Sequence, residues 1–200
     1  MKKSSILILI IICLVGCKKG SNETTITGEI KGLGTDTLYL YGMDELYDRI
    51  DTIYVENDKF SYTTSVDTIT SAYLLLKNRI EYPVFLDKGN KIKIKGDTIN
   101  LNFLTISGNI YNEEFTDFQK ALEDPADPSE KAGEETVDKR ITVEKANTAE
   151  EMAEEFILQH HSSYVSLYLL DKYFVQKETP DFSKIKKLVE VMTGVLQDKP

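Results

Sequence analysis

Residues able to do chemistry are few in this 200-residue chain. Its two histidines, His160 and His161, are adjacent, and its two cysteines, Cys13 and Cys17, both precede Lys18. Neighbouring side chains on a helix diverge by about 100°, so the histidines do not chelate one ion well, and no metal-ligand spacing supports them. Solvation of a helix C-terminus is their expected role. Gly32-Leu33-Gly34 precedes a strand pattern rather than a helix, which makes it a turn and not a dinucleotide loop. No G-x-S-x-G elbow occurs, and Ser107 has no plausible triad. The 33 acidic residues show no spacing that marks a general acid and base. The expectation is a chain without a catalytic constellation, a metal or a cofactor.

The cysteines point to a compartment instead. Lys2 and Lys3 precede Ile6 to Val15, ten residues without a charge or an amide. As a helix this run is about 15 Å long, roughly half the hydrocarbon core of a bilayer, and it has the pattern of an export signal. Leu14-Val15-Gly16-Cys17 resembles the bacterial lipobox, in which the thiol is diacylated and the chain is cut before it. On that resemblance residues 1–16 are a lipoprotein signal peptide, Cys17 carries the lipid, and residues 17–24 are a tether. Several acyl chains hold a protein stably on a membrane where one does not. The expected location is the bacterial envelope, on its periplasmic face or at the cell surface. With Cys13 removed and Cys17 acylated, nothing remains for a disulfide, a zinc cage or a C-x-x-C pair. Losing the two leader lysines leaves 24 − 2 = 22 basic residues against 33 acidic ones, a net charge of −11. Such a surface repels phosphate backbones, so nucleic acid is not an expected partner.

The mature chain divides by hydrophobic period. Residues 25–108 alternate as strands do. Thr25 to Lys31, Thr37 to Tyr41, Arg49 to Val55, Phe60 to Thr64, Ala72 to Lys77, Tyr82 to Asp87, Lys91 to Lys95 and Leu101 to Ile106 give about eight strands. Their shortness and regular turns predict an α+β fold: an antiparallel β-sandwich or partly open barrel followed by a C-terminal helical layer over 109–200. Tyr111, Phe115, Phe118 and Leu122 mark one helix, stopped at Asp124-Pro125-Ala126-Asp127-Pro128. Ser129 to Asn147 predict a mostly solvated helix. Thr148 begins a capping box, Ser162 is the expected cap of the next helix, and Ile185 to Leu196 predict one continuous amphipathic helix.

Several segments together resemble the β-rich N-terminal domain of unknown function in lipid-anchored thioredoxin-like proteins of the alkyl hydroperoxide reductase/thiol-specific antioxidant group. They are Gly28-Glu29-Ile30-Lys31-Gly32 with Thr37 to Tyr41, the hairpin Val55 to Tyr62, the run Tyr82 to Ile94, and Ser107-Gly108 with Asn112 and Phe115. The similar stretch is roughly residues 24 to 120. In that family a thioredoxin fold with C-x-x-C normally follows. Here the chain ends at Pro200, about where it would begin, so the resemblance implies location and fold rather than oxidoreductase activity. A stand-alone protein and a shortened gene product are both compatible with it.

Asp36-Thr37, Asp51-Thr52, Asp67-Thr68 and Asp97-Thr98, each followed by an aliphatic residue, resemble an O-glycan acceptor motif of exported bacterial proteins. Thr37, Thr52, Thr68 and Thr98 are therefore possible glycosylation sites, although turn-to-strand junctions have the same form. Six of the eleven tyrosines lie in or beside strands; a row of them facing solvent would suit a protein or carbohydrate partner. The expected function is a non-catalytic, lipid-anchored envelope protein that binds a protein or glycan partner. The alternatives are an accessory to an envelope thiol-disulfide oxidoreductase, and a glycan-binding surface lipoprotein.

Overall fold

The computed structural model describes residues 22–42, 45–123 and 149–197. The expected signal peptide, Cys17, the expected stop at 124–128, the helix expected over 129–147 and Thr148 lie outside the described residues. Eight strands form two four-stranded sheets that face each other as a sandwich and do not close into a barrel. Sheet A has the order β4 (Lys59–Ser65), β1 (Glu23–Lys31), β7 (Lys91–Asp97), β8 (Thr105–Ser107). Sheet B has the order β3 (Ile50–Val55), β2 (Asp36–Gly42), β5 (Thr70–Leu75), β6 (Glu81–Leu86). All pairs are antiparallel except β1 with β7, which run parallel with Ile26 opposite Ile92.

Alternation places the core. Ile26, Ile30, Ile92, Ile94 and Ile106 of sheet A meet Leu38, Leu40, Ile53, Ala72, Leu74 and Val84 of sheet B, all 0–1% exposed. The β3–β4 connection turns on Asn57 and Asp58, whose φ angles of 51° and 69° are those of a type I′ hairpin. Asn and Asp replace the usual glycine there because they tolerate left-handed backbone.

Helix α1 (Ile110–Glu123) closes one side of the sandwich. Its buried Asn112 accepts from the Phe85 N–H at 3.0 Å and donates to the Phe85 carbonyl at 2.8 Å. One turn on, Thr116 accepts from Ile106 N–H and donates to its carbonyl, both at 3.0 Å. Two side chains four residues apart thus cover the outer edges of β6 and β8, as a further strand would. Helices α2 (149–159), α3 (Tyr164–Leu170), α4 (Phe182–Val191) and the short α5 (Gly194–Gln197) complete the layer, with a π-turn at Asp171–Val175. Phe85, on the outer face of β6, is fully buried because Phe115, Tyr111 and Tyr168 pack on it, with ring centroids 6.2–6.4 Å away.

Four expectations are corrected. Glu23 and Thr24 belong to β1 rather than to the tether, and the Thr24 hydroxyl donates to the Asp87 carbonyl. Leu101 to Leu104 are loop, because the Tyr82 hydroxyl takes both the N–H and the carbonyl of Leu104 and leaves neither for a neighbouring strand. Ser163, not Ser162, caps α3, accepting from Val165 N–H. The last stripe breaks at Met192, whose backbone is extended, so that Leu188 reaches the core from α4, Met192 from the link and Leu196 from α5.

Candidate functional site

Among the described residues, the backbone of β3 bonds only to β2, and its outer edge is open. Among the described residues, the helical layer packs on the β6 side of sheet B and does not cover the outer face of β3, where Ile50, Thr52 and Tyr54 are exposed. Register decides what stands there. Thr37 pairs with Tyr54, Tyr39 with Thr52 and Tyr41 with Ile50, so these six side chains share the outward face. Tyr54 is 73%, Ile50 74% and Tyr39 41% exposed. Tyr41 is half-buried against Tyr73, with ring centroids 5.7 Å apart. Exposed edge strands usually carry lysine, proline or a bulge. Ile50-Asp51-Thr52-Ile53-Tyr54-Val55 has neither of those residues.

At the Ile50 end the face meets a polar corner. The Tyr47 hydroxyl donates to Asp51, and Arg49 Nε lies 3.1 Å from the same carboxylate. Arg49 also donates to the Thr64 hydroxyl and to the Ser65 carbonyl, tying β3 to β4, while its guanidinium sits 4.6 Å over the Tyr47 ring. Burial, and next the Asp51 carboxylate, push the Tyr47 phenol up to about 12. An open cavity of about 430 Å³ borders this corner, lined in part by Tyr41, Asp48, Arg49 and Ile50.

The sequence-predicted site residues do not converge. Thr52 is exposed, but in the middle of β3, while Thr68 is exposed in the bend between β4 and β5. Thr37 is half-buried at the start of β2, and Thr98 lies half-buried against Gly32. Ile99, which follows Thr98, is 92% exposed. His160 stacks on Phe156 at 4.1 Å, its Nδ1 3.5 Å from Glu114, and His161 faces solvent. Among the described residues no three His, Cys, Asp or Glu side chains gather as a metal site, and no helix is long and apolar enough to cross a membrane. The corner of Tyr47, Arg49 and Asp51 was missed from sequence, since nothing in their spacing announces that they meet Thr64.

Residues 24–115 match the family model described as Domain of unknown function (DUF4369). The match runs from the second residue of β1 through all later strands into the first turns of α1. It therefore takes in both the open β3 edge and the Asn112 seal on β6. No curated protein and no solved structure matches the chain.

Proposed function

We propose that this protein is a non-catalytic, lipid-anchored module of the bacterial envelope that binds a partner protein along β3. The observation that carries this reading is the open edge of β3 beside exposed Ile50 and Tyr54, opposite two edges that α1 has covered. A partner segment in extended form would bond to the bare backbone and lay alternate side chains across Tyr39 and Tyr54. Acyl chains on Cys17 would hold the body at the membrane, on the lipobox resemblance given above. Thr52 and Thr68 remain candidate O-glycan acceptors, and a glycan on Thr52 would obstruct the β3 edge.

The test uses the full chain in detergent-solubilised envelopes. Ile50→Lys with Tyr54→Lys changes two solvent-facing side chains, so stability should shift by no more than about 1 kcal/mol. One partner retained by the native chain and released by the double variant would support the reading. Identical retained proteins from both would end it. A retained partner carrying C-x-x-C would identify the accessory role in thiol-disulfide exchange. Palmitate should label the native chain and not Cys17→Ser; equal labelling would remove the anchor.

A further inference from the structure

The opposite face of the sandwich carries a second recess, independent of the β3 edge. Its formation starts at Gly96, which points inward on β7. A Cβ there would lie 2.3 Å from Leu104, so glycine is what lets Leu104 pack onto the strand. The Tyr82 hydroxyl then fixes Leu104 from below, donating to its carbonyl at 2.7 Å and accepting its N–H at 3.0 Å. The loop before Leu104 is held at further points. Thr98 N–H donates to the Lys31 carbonyl, Ile99 N–H to Asp97 Oδ1, and the Asn100 side chain to Glu123. Pinned in this way, the loop folds over the ends of β1 and β7 and stands half-buried Phe103 as a wall. The result is a cleft of about 490 Å³, within the size range of small-molecule sites.

Lys31, Lys95, Glu29 and Asp97 all line this cleft, with Asn100 beside them. Among the described residues, none of the four charged side chains takes part in an ion pair. Two ammonium groups and two carboxylates cancel, so the cleft offers donors and acceptors together without a net charge. A compact anion such as phosphate would meet both carboxylates, and a cation would meet both lysines. A sugar suits all of them. Its hydroxyls donate to the carboxylates and accept from the ammonium and amide groups, while the C–H face of its ring lies on Phe103.

We propose that this cleft binds one sugar residue of a glycan; that the glycan belongs to the envelope rests on the location proposed above. The experiment presents the full chain, in a detergent without a sugar headgroup, to an array of neutral, amino and uronic oligosaccharides. The best oligosaccharide is then titrated by calorimetry. Binding should weaken about tenfold or more in Glu29→Gln and in Phe103→Ala, with little change in thermal unfolding for Glu29→Gln. The Ile50→Lys, Tyr54→Lys variant should bind the sugar as the native chain does. The proposal is overturned if no array member binds, if Glu29→Gln and Phe103→Ala bind as well as the native chain, or if inorganic phosphate displaces the sugar.

Discussion

Gly28 and Phe60 face each other across β1 and β4, and the phenyl ring lies where a side chain on residue 28 would stand. A Cβ on Gly28 would be 2.1 Å from Phe60 Cζ. Glycine is needed here for space rather than for backbone freedom, and the ring in return fills the gap in the inner face. Gly28→Ala must push an aromatic ring that is 6% exposed out of the core, at a cost of about 1–3 kcal/mol. In a Phe60→Leu background the same substitution should cost about 1 kcal/mol less, because the shorter side chain leaves room. Urea unfolding of the four chains in this cycle measures the coupling; strictly additive losses would show that the two positions are independent. The strand that begins at Phe60 was legible from sequence. Its relation to Gly28 was not, because pairing across 32 positions depends on register.

Element boundaries follow the same division between local and distant causes. The β3–β4 hairpin was readable because Asn57-Asp58 carries its own turn geometry. The amphipathic stripe of α1 was readable because Tyr111, Phe115, Phe118 and Leu122 repeat at helical spacing. What α1 does was hidden in the polar residues beside that stripe, Asn112 and Thr116; Asn112 carried part of the family resemblance, but the role of neither shows until β6 and β8 are known to end the sheets. Leu101 to Leu104 read as strand for the opposite reason: their residue types suit a strand, and only Tyr82 and Gly96, distant in sequence, hold them otherwise. The open β3 edge was likewise illegible, since strand order within a sheet is not local. Asn112→Ala would leave the Phe85 N–H without its side-chain partner inside the protein, at about 1–3 kcal/mol for each buried group left unpaired. Thr116→Val, nearly equal in volume, should cost a similar amount at Ile106. Hydrogen exchange should then accelerate at Phe85 in the first variant and at Ile106 in the second. Protection unchanged at both amides would mean that α1 does not seal these edges.

Across the whole molecule, both sheets and the helical layer share one set of buried and half-buried phenols. Tyr82 and Tyr47 lie against the sandwich, Tyr168 packs edge-on to Phe85 and Phe115, and Tyr173 meets Phe118. Eight of the eleven tyrosines have phenols raised above the ordinary value, with burial the leading cause in every case. Lys184 is raised as well, chiefly through its hydrogen bond to Glu154. Among the described residues, the carboxylates with lowered values are Asp36, through the Thr37 N–H, and Glu150, through Lys177, both near the surface. A raised phenol keeps its proton in the native state after the unfolded chain has lost it. Its contribution is complete below the unfolded value of about 10 and is lost as pH rises through the folded one. For Tyr47 that window runs from about 10 to about 12. Depressed carboxylates act at the other end, contributing above their unfolded values and losing that contribution as pH falls through the folded ones. Urea midpoints should therefore stay level from neutral pH to about 9, then drop steeply, with a shallower loss in acid. Because the phenols span both layers, sheet and helix signals should be lost together with phenolate absorbance in one alkaline transition. Tyr47→Phe keeps the ring but gives up the bonds to Asp51 and Thr64, so it should be less stable by about 1 kcal/mol at neutral pH. The same variant should lose less between pH 10 and 12 than the native chain. Equal alkaline losses in both chains, or helices that unfold well before the sheets, would contradict a single body held together through its buried phenols.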